Sequence, residues 1–515
     1  MTAEPEPEQD RPRAGPLPRD SGVLLHPSSL PGPHGIGDLG DVAHRWLEFL
    51  NAGRQQLWQI LPLGPPGYGE SPYAARSAFA GNPLLISLDR LVAGGLLNEG
   101  DLNEAPKGES GRVDFPAVAA FKLPLLHRAF KRFRAGGGTY RPEYQAFRAE
   151  NAYWLDDYAV FAALRRVYGD AAWNTWSGPL VRREATALAR AIADHAEAID
   201  LERFIQFIFS QQWGALKAAA AARGIRVIGD IPIFVAHDSA DVWAHQEIFL
   251  LDRDGNPTVV AGVPPDFFSA SGQRWGNPLY DWHRLSASGY RWWIERFRGV
   301  LRAVDIVRID HFRGFEAYWE VPAAEATAVN GTWVRGPGQA FFDAVMAKLG
   351  PLPVIVEDLG LITRSVDELR ESLGLPGMKV LQFAFGDTSA NPYLPHNYDW
   401  NCVVYTGTHD NDTTEGWFAS MPERERARVI RYTGDSKELL SRKLIRLALG
   451  SVARTSIVPL QDVLGLGSEA RMNIPGWGTG NWNWRASPEH LEPARAGWLR
   501  EMTELYGRAG RDRKD

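Results

Sequence analysis

The chain contains very little cysteine. Cys402 is the one cysteine among its 515 residues, which excludes a disulfide framework and zinc or iron–sulfur sites built on several thiolates. No His, Asp and Glu spacing in the sequence matches a recognised metal-ligand set. We therefore expect a protein that works with no metal and no cofactor.

Long runs of one charge sign and long apolar runs are also absent. The formal charge of −6 comes from 56 basic and 62 acidic residues spread along the chain, which provides no electrostatic footprint for nucleic acid or for an anionic membrane. No apolar run is long enough to cross a bilayer, and residues 1–20 lack the pattern of a secretory signal. These features predict a cytoplasmic protein with no nucleic-acid, membrane or obligate protein partner.

Two terminal segments have the composition of irregular chain. Residues 1–20 are acidic and proline-rich, and we expect a disordered tail there. Residues 508–515 (RAGRDRKD) are expected to be a frayed terminus. Neither segment contributes to the functional prediction.

Short apolar segments are abundant between these ends. Each has four to nine residues rich in Val, Ile and Leu, and amphipathic helical patterns lie between them. Near-continuous apolar strands are typical of a parallel sheet covered on both faces. The eight candidate strands are Gly22–Leu25, Leu57–Pro62, Arg226–Phe234, Asp305–Asp310, Pro353–Asp358, Lys379–Phe383, Cys402–Thr406 and Thr455–Leu460.

Eight strands alternating with helices predict a (β/α)₈ barrel. We interpret residues 21–515 as one such domain with two insertions and no C-terminal β-sandwich. Residues of about 85–220 read as a helical lobe beside the barrel mouth, because the interval is too long for one crossover. The second insertion, at about 234–281, contains a predicted hairpin turn at Asp252–Asn256. A calcium loop there is disfavoured because Val263 occupies the twelfth loop position.

The candidate strand that ends at Asp310 carries a polar cluster. In VRIDHFRG (307–314), the two-residue period of a strand places Arg308 and Asp310 on one face. Catalytic groups of (β/α)₈ barrels lie at the carboxyl ends of strands. A neighbouring guanidinium would lower the pKa of Asp310 and keep it ionised, as a nucleophile requires. The alternative is a structural ion pair at a strand end.

Two more candidate strands end in carboxylates. VIVEDLG (354–360) carries Glu357, whose pKa would be raised in a desolvated acidic cleft, as a general acid requires; Asp358 alternatively serves as a helix N-cap. TGTHDNDTTEGW (406–417) carries His409 and Asp410, although a turn with Asx hydrogen bonds explains the same residues. On one barrel rim the three acids Asp310, Glu357 and Asp410 would form a set that cleaves glycosidic bonds.

The chain also resembles the amylomaltases, the 4-α-glucanotransferases of glycoside hydrolase family 77. The resemblance covers about Gly22 to Arg485 and rests on motifs in order, among them GDIPIFVAHDSADVW, VRIDHFRGF, VIVEDLG, YTGTHDNDT and NIPGWGTGNWNWR. It implies retaining transfer of α-1,4-glucan segments between maltodextrin or starch chains, with Asp310 as nucleophile, Glu357 as acid/base and Asp410 as transition-state stabiliser. It further implies substrate contacts at Tyr73, Asp230, Gln273, Trp275, Arg308, His409 and Asn481.

Transfer to a second glucan requires that water be kept from the intermediate. Residues Phe267–Trp275 are expected to overhang the cleft for this purpose, or else Phe267 and Phe268 simply pack the insertion. Two other functions stay open. One is an α-glucan hydrolase of the same fold, and the other is a non-catalytic glucan-binding protein, which the intact acids disfavour.

Overall fold

The structure of the chain is a computed structural model that describes residues 19–106, 111–136, 141–265, 269–386 and 388–510. The expected disordered tail falls almost entirely outside the described residues, as do residues 511–515 of the expected frayed terminus. Phe267 and Phe268 of the expected overhanging segment lie outside them as well.

The described residues form twelve strands, and eight of these make a parallel barrel. The strands are β1 (Asp20–Leu24), β2 (Leu57–Gln59), β3 (Arg226–Pro232), β4 (Val259–Val263), β5 (Gln273–Pro278), β6 (Ile306–Asp310), β7 (Ala317–Pro322), β8 (Thr332–Arg335), β9 (Val354–Val356), β10 (Gly377–Val380), β11 (Cys402–Tyr405) and β12 (Thr455–Pro459). The barrel order is β10-β11-β12-β1-β2-β3-β6-β9. Each predicted strand matches one of these eight, which confirms the (β/α)₈ architecture.

The described helices alternate with the barrel strands and fill the long interval between β2 and β3. They are α1 (Asp41–Ala52), α2 (Leu88–Ala93), α3 (Phe115–Arg134), α4 (Arg141–Val167), α5 (Gly178–Val181), α6 (Ala185–Asp194), α7 (Ala196–Ala222), α8 (Ala240–Ala244), α9 (Trp282–Ala287), α10 (Arg291–Ala303), α11 (Gly338–Leu349), α12 (Arg364–Ser372), α13 (Thr414–Ser420), α14 (Glu423–Thr433), α15 (Leu440–Gly450), α16 (Leu460–Leu464) and α17 (Gly497–Leu505). Among the helices described here, none is long and apolar enough to span a membrane. From β12 to residue 510 the chain forms helices and turns without another strand.

The barrel closes between β9 and β10 through one backbone hydrogen bond and through the side chain of Asp358. The N–H of Val356 donates to the carbonyl of Pro376 at 3.0 Å, and the Asp358 carboxylate accepts the N–H of Met378 at 2.6 Å. A Cβ on residue 377 would lie 2.1 Å from Asp358 Oδ2, so glycine is required there. Asp358 therefore joins two strands, and its interpretation as a helix N-cap is wrong: the N-cap of α12 is Thr363.

A four-stranded antiparallel sheet stands beside the barrel, with the order β5-β4-β7-β8. Strands β4 and β5 come from the segment after β3, whereas β7 and β8 come from the segment after β6. The predicted turn at Asp252–Asn256 is present, since the Asp252 N–H donates to the Asn256 carbonyl at 2.8 Å. The predicted hairpin is reduced to one bridge between Leu251 and Pro257, because β4 pairs with β5 and β7 instead.

The helical segment between β2 and β3 shares its apolar interior with the barrel. Phe130 of α3, Phe161 of α4 and Phe204 of α7 are buried in the same continuous cluster as Trp58 of β2. Helix α10 presents Trp293 and other apolar residues to this cluster at the helical spacing read from the sequence. Burial of so much aromatic surface holds the helices rigidly against the barrel.

Arg508 contradicts the expectation of a frayed terminus. Its side chain is fully buried at the end of the barrel where β1 and β12 begin. The guanidinium donates to the carbonyls of Asp20 at 3.0 Å, Leu449 at 2.7 Å and Ala453 at 2.7 Å. A cation at the end of α15 also interacts favourably with the helix dipole. Arg508 thus satisfies buried carbonyl groups at the end of the barrel where the strands begin, opposite the rim formed by their carboxyl ends.

We predict that Arg508→Ala destabilises the fold by about 3 kcal/mol, because hydrogen bonds to a charged group contribute about 1.5–3 kcal/mol and several buried carbonyls would lose their donor. Chemical denaturation followed by tryptophan fluorescence measures the free energy of unfolding. Arg500→Ala on the exposed face of α17 is the control and should change it by less than about 1 kcal/mol. Equal free energies of unfolding for the two variants would contradict a stabilising role of Arg508.

Candidate active site

Three carboxylates lie at one rim of the barrel. Asp310 is the last residue of β6, Glu357 directly follows β9, and Asp410 lies in the loop after β11. Parallel strands of a barrel end at the same rim, so residues far apart in sequence become neighbours there. The register places Asp230 of β3 opposite Arg308 of β6.

Arg308 lies between two carboxylates. Its Nη1 atom is 2.6 Å from Asp230 Oδ2 and 3.0 Å from Asp310 Oδ1. The side chains of Arg308 and Asp230 are 4% and 0% exposed, whereas that of Asp310 is 29% exposed. Asp230 Oδ2 also accepts the Tyr73 hydroxyl at 2.7 Å. Asp230 is therefore a buried support for Arg308, and Asp310 is the carboxylate that a ligand can reach.

Burial raises the pKa of Asp310 above its ordinary value. Arg308 lowers this pKa, as the sequence predicted, while the charges of Asp230, Glu357 and Asp410 raise it further. The predicted net lowering is therefore wrong, because desolvation and three neighbouring acids outweigh one guanidinium. Four acids around one arginine favour retention of a proton within the site.

The Glu357 carboxylate is held by backbone amides. The N–H of His311 donates to Oε2 and the N–H of Leu359 donates to Oε1, each at 2.8 Å. Burial raises the pKa of Glu357, while Arg308 and these two hydrogen bonds oppose the shift. The predicted direction is confirmed. Asp310 has a guanidinium at 3.0 Å, whereas no cation is within ion-pair distance of Glu357 in the described part of the chain. We infer that the retained proton resides on Glu357.

His311 has a left-handed backbone conformation, with φ of 55°. This conformation is costly for a residue other than glycine, and here it turns the N–H of His311 toward Glu357. The Trp275 ring packs edge-on against the imidazole, with ring centroids 4.8 Å apart. Burial lowers the pKa of His311 to about 3, so the ring is neutral. The sequence contained only a weak signal for this role, a histidine next to Asp310.

Asp410 is the most exposed of the three acids, with 49% of its side chain accessible. Oδ1 accepts a hydrogen bond from Asn473 Nδ2 at 2.6 Å, and Oδ2 lies 3.5 Å from His409 Nε2. The predicted turn with a side-chain hydrogen bond is present too, since the Asn411 N–H donates to the Thr408 carbonyl at 3.3 Å and the Thr408 N–H donates to Asn411 Oδ1 at 2.8 Å. The two interpretations of this motif are compatible because the turn presents the acid.

An aromatic surface adjoins the acids. The Tyr73 ring stacks on the buried His409 ring, with centroids 4.9 Å apart. Trp482 lies 5.8 Å from Tyr73 and 5.9 Å from His409. Burial lowers the pKa of His409, which keeps the stack neutral. Trp482 is absent from the predicted site residues, since its motif GTGNWNWR contains two tryptophans and spacing does not distinguish them.

Two other predicted residues lie on β5. Trp275 is partly exposed at the rim beside His311, and Gln273 accepts a hydrogen bond from the Trp275 indole at 3.1 Å. Asn481 is used differently, because its amide binds its own loop. Asn481 Oδ1 accepts the Ile474 N–H at 2.9 Å, and Nδ2 donates to the Trp477 carbonyl at 2.8 Å. Asn481 braces the 474–481 loop, and its contact with substrate stays a prediction.

We predict that His311→Gly retains more activity than His311→Ala. Both variants lack the imidazole, but a left-handed conformation costs about 1–2 kcal/mol for an alanine and little for a glycine. Glycine therefore keeps the N–H directed at Glu357. The measurement is kcat on a maltooligosaccharide for both purified variants. Equal kcat values would show that the backbone conformation at this position is unimportant.

Comparison with known proteins identifies the family. The family model described as 4-alpha-glucanotransferase, of glycoside hydrolase family 77, matches residues 25–491. A 4-alpha-glucanotransferase of Thermus thermophilus is 52% identical over 96% of this chain and 99% of its own, and one of Synechocystis is 50% identical over 95% and 98%. The amylomaltase of Streptococcus agalactiae, solved in complex with acarbose, matches with a TM-score of 0.92 at 39% identity, over 95% of this chain and 99% of that chain. The chain therefore belongs to the 4-alpha-glucanotransferase family, glycoside hydrolase family 77.

Proposed function

We propose that this chain transfers α-1,4-glucan segments by a retaining double displacement in which Asp310 is the nucleophile, Glu357 the acid/base and Asp410 the transition-state stabiliser. The observation that carries the proposal is that Asp310, Glu357 and Asp410 come from separate strand ends and lie close enough for the charges of the other two to act on Asp310, which Arg308 contacts at 3.0 Å. Retaining cleavage requires one carboxylic acid and one carboxylate nucleophile on either side of the scissile bond. Family membership supports transfer over hydrolysis.

In the first step Glu357 donates its proton to the glycosidic oxygen. The Asp310 carboxylate attacks the anomeric carbon, the bond to the leaving glucan breaks, and a glucosyl ester of Asp310 forms. Positive charge develops on the sugar during the attack. The exposed carboxylate of Asp410 faces the cleft and stabilises this charge electrostatically.

In the second step Glu357 accepts the proton of an incoming hydroxyl group. If this group is the 4-OH of another glucan, the ester is displaced and a longer chain forms with the original anomeric configuration. The acid/base is thereby returned to its protonated state. Water in place of the glucan would give hydrolysis, so the cleft must favour the sugar acceptor.

The charges of the site suit these roles. Burial opposes the charge of Arg308, but Asp230 and Asp310 raise the pKa of Arg308 well above its usual value, so the guanidinium stays charged. It favours the ionised form of Asp310, which it contacts, over that of Glu357, which it does not. A carboxylate nucleophile and a protonated acid can therefore coexist in one buried site.

We assign the sugar contacts to the two walls of the cleft. Tyr73 is the partly exposed ring of an aromatic stack that the buried His409 and Trp482 support, and the apolar face of a glucose ring packs against it. Arg308 and Asp230 lie behind the reacting ring, while Gln273 and Trp275 face it from β5. We retain Asn481 as a contact near the 474–481 loop. Expected substrates are maltooligosaccharides, amylose and dextrins derived from starch or glycogen.

We also propose a cytoplasmic location and a single catalytic domain. The proposed domain begins at residue 21 and carries insertions at about 85–220 and 234–281. The common apolar core of the helices and the barrel supports the single domain. The location rests on the sequence features described above.

We predict that the purified chain converts maltotriose into glucose and a ladder of longer maltodextrins. Asp310→Asn should lower this rate by about 10⁴-fold or more, because the amide cannot form the glucosyl ester. Asp305→Asn, at the opposite end of the same strand, is the matched control and should retain activity below its unfolding temperature. Products are resolved by anion-exchange chromatography.

Other product patterns would contradict the proposal. Glucose and maltose without longer chains would indicate a hydrolase. Unchanged maltotriose, with binding still detected by calorimetry, would indicate a glucan-binding protein. Full activity of Asp310→Asn would overturn the assignment of the nucleophile.

We predict that kcat/KM for transfer falls on the alkaline side as Glu357 loses its proton. Because the pKa of Glu357 is raised, the protonated acid persists above the ordinary range of a glutamate and is lost as the pH rises further. Glu357→Gln should lower kcat by about 10²–10⁴-fold and remove this alkaline limb. The measurement is the pH profile of both proteins. An alkaline limb with the same midpoint in Glu357→Gln would assign it to another group.

A further inference from the structure

The Asp410 carboxylate is oriented by Asn473, a side chain that is absent from the predicted site residues. Asp410 projects from the loop after β11 with half of its side chain exposed, so its own loop leaves the carboxylate free to rotate. The 2.6 Å hydrogen bond from Asn473 Nδ2 to Oδ1 restricts this rotation. His409 lies at the other oxygen, Oδ2, at 3.5 Å.

Asn473 is itself firmly placed. It is buried, and the residues on both sides of it are tied to the next part of the chain. The Met472 carbonyl accepts the N–H of Trp482 at 2.7 Å, and the Ile474 N–H donates to Asn481 Oδ1 at 2.9 Å. The backbone of residue 473 is therefore held independently of its side chain.

A second connection joins the same two segments through the backbone. Arg471 Nε donates to the Asn473 carbonyl at 2.8 Å, and Arg471 Nη2 donates to the Asp410 carbonyl at 2.9 Å. Arg471 thus sets the spacing between the segments but does not contact the carboxylate in either of these bonds. Of the two residues, Asn473 is the one that hydrogen-bonds the Asp410 side chain.

The loop that carries Asp410 also has its own anchor. The buried Asp462 carboxylate accepts the hydroxyl of Thr406 at 2.5 Å and the hydroxyl and N–H of Thr414, each at 2.7 Å. These bonds hold both ends of the loop from α16, the helix that follows β12. Removal of the Asn473 amide would therefore release the carboxylate of Asp410 and leave the path of the loop intact.

The chemistry of the donor matters as much as its position. An amide donates a hydrogen bond to an ionised carboxylate but brings no positive charge. A lysine or arginine in its place would offset the negative charge that the proposed role of Asp410 requires. His409 at the other oxygen is neutral because burial lowers its pKa, and the Arg471 guanidinium binds the backbone carbonyl of Asp410 rather than its carboxylate.

We propose that Asn473 is a positioning residue that holds Asp410 in the orientation in which its full negative charge faces the reacting sugar. The inference rests on the proposed role of Asp410. Asn473 acts on the transition state through Asp410, and it contributes little to the binding of the ground-state substrate.

The test is a double-mutant cycle on maltotriose disproportionation. Asn473→Ala should lower kcat about 10- to 100-fold, as expected for the loss of a hydrogen bond to a charged group, with KM changed less than about twofold. In an Asp410→Asn background, Asn473→Ala should lower kcat by less than about threefold more, because the group that it orients is already altered. Asn483→Ala, whose side chain binds Arg112 instead, is the control and should retain the original kcat.

The pH dependence of kcat/KM distinguishes a positioning role of Asn473 from a merely structural one, because a structural role alone would leave this dependence unchanged. Asn473→Asp has nearly the same shape but places a second negative charge beside Asp410, which favours protonation of Asp410. The acidic limb of kcat/KM should therefore move to higher pH. Thermal unfolding within a few degrees of the unmodified protein shows that the variants are folded.

The outcomes separate the two proposals. Losses that multiply in the double variant, or an acidic limb of Asn473→Asp at the original pH, would overturn the role of Asn473 even if Asp410→Asn is nearly inactive. Full activity of Asp410→Asn would instead overturn the role of Asp410, and with it the reaction scheme proposed above.

Discussion

The buried contact between Arg308 and Asp230 is the constraint on which the site depends. A guanidinium with 4% of its surface exposed is tolerable only when its charge is matched, and Asp230 supplies that match from the neighbouring strand at 2.6 Å. The second carboxylate, Asp310, then shares the same nitrogen at 3.0 Å and stays reachable from the cleft. One interaction therefore sets the register of β3 against β6 and the position of the proposed nucleophile.

The carboxylates of the other two acids, Glu357 and Asp410, are held by neutral amide groups rather than by a cation. Glu357 is held by two backbone amides, which fix its position without neutralising it. Asp410 is held by the Asn473 amide. Burial and the neighbouring acids raise the pKa of both Asp310 and Glu357, and the proposed reaction scheme assigns the retained proton to Glu357, which lacks the direct contact with Arg308 that Asp310 has. The proposed division into acid and nucleophile rests on the contact of Arg308 with Asp310.

The fold brings these groups together through contacts that also close the barrel. Asp358, next to Glu357, joins β9 to β10, the two strands at the ends of the barrel order, and it fits because residue 377 is glycine. His311, next to Asp310, uses a left-handed backbone to reach Glu357. At each of the two strand ends, a residue that makes a structural contact therefore stands next to an acid of the site: Asp358 next to Glu357, and His311 next to Asp310.

The eight strands and the three acids were readable from the sequence alone. Short apolar runs indicate buried strands. A carboxylate at or just after the end of such a run marks a candidate site residue on the barrel rim, as for Asp310, Glu357 and Asp410. Only the tertiary structure shows the contacts of Asn473, His311, Asp358 and Arg508, and it also pairs β4 with β7 across two separate segments. Each of these depends on a distance between residues far apart in the chain, or on a backbone angle that the type of residue does not specify. The net pKa direction of Asp310 likewise required the whole site, because burial and the surrounding acids act on it together and a sequence motif contains only its nearest neighbour.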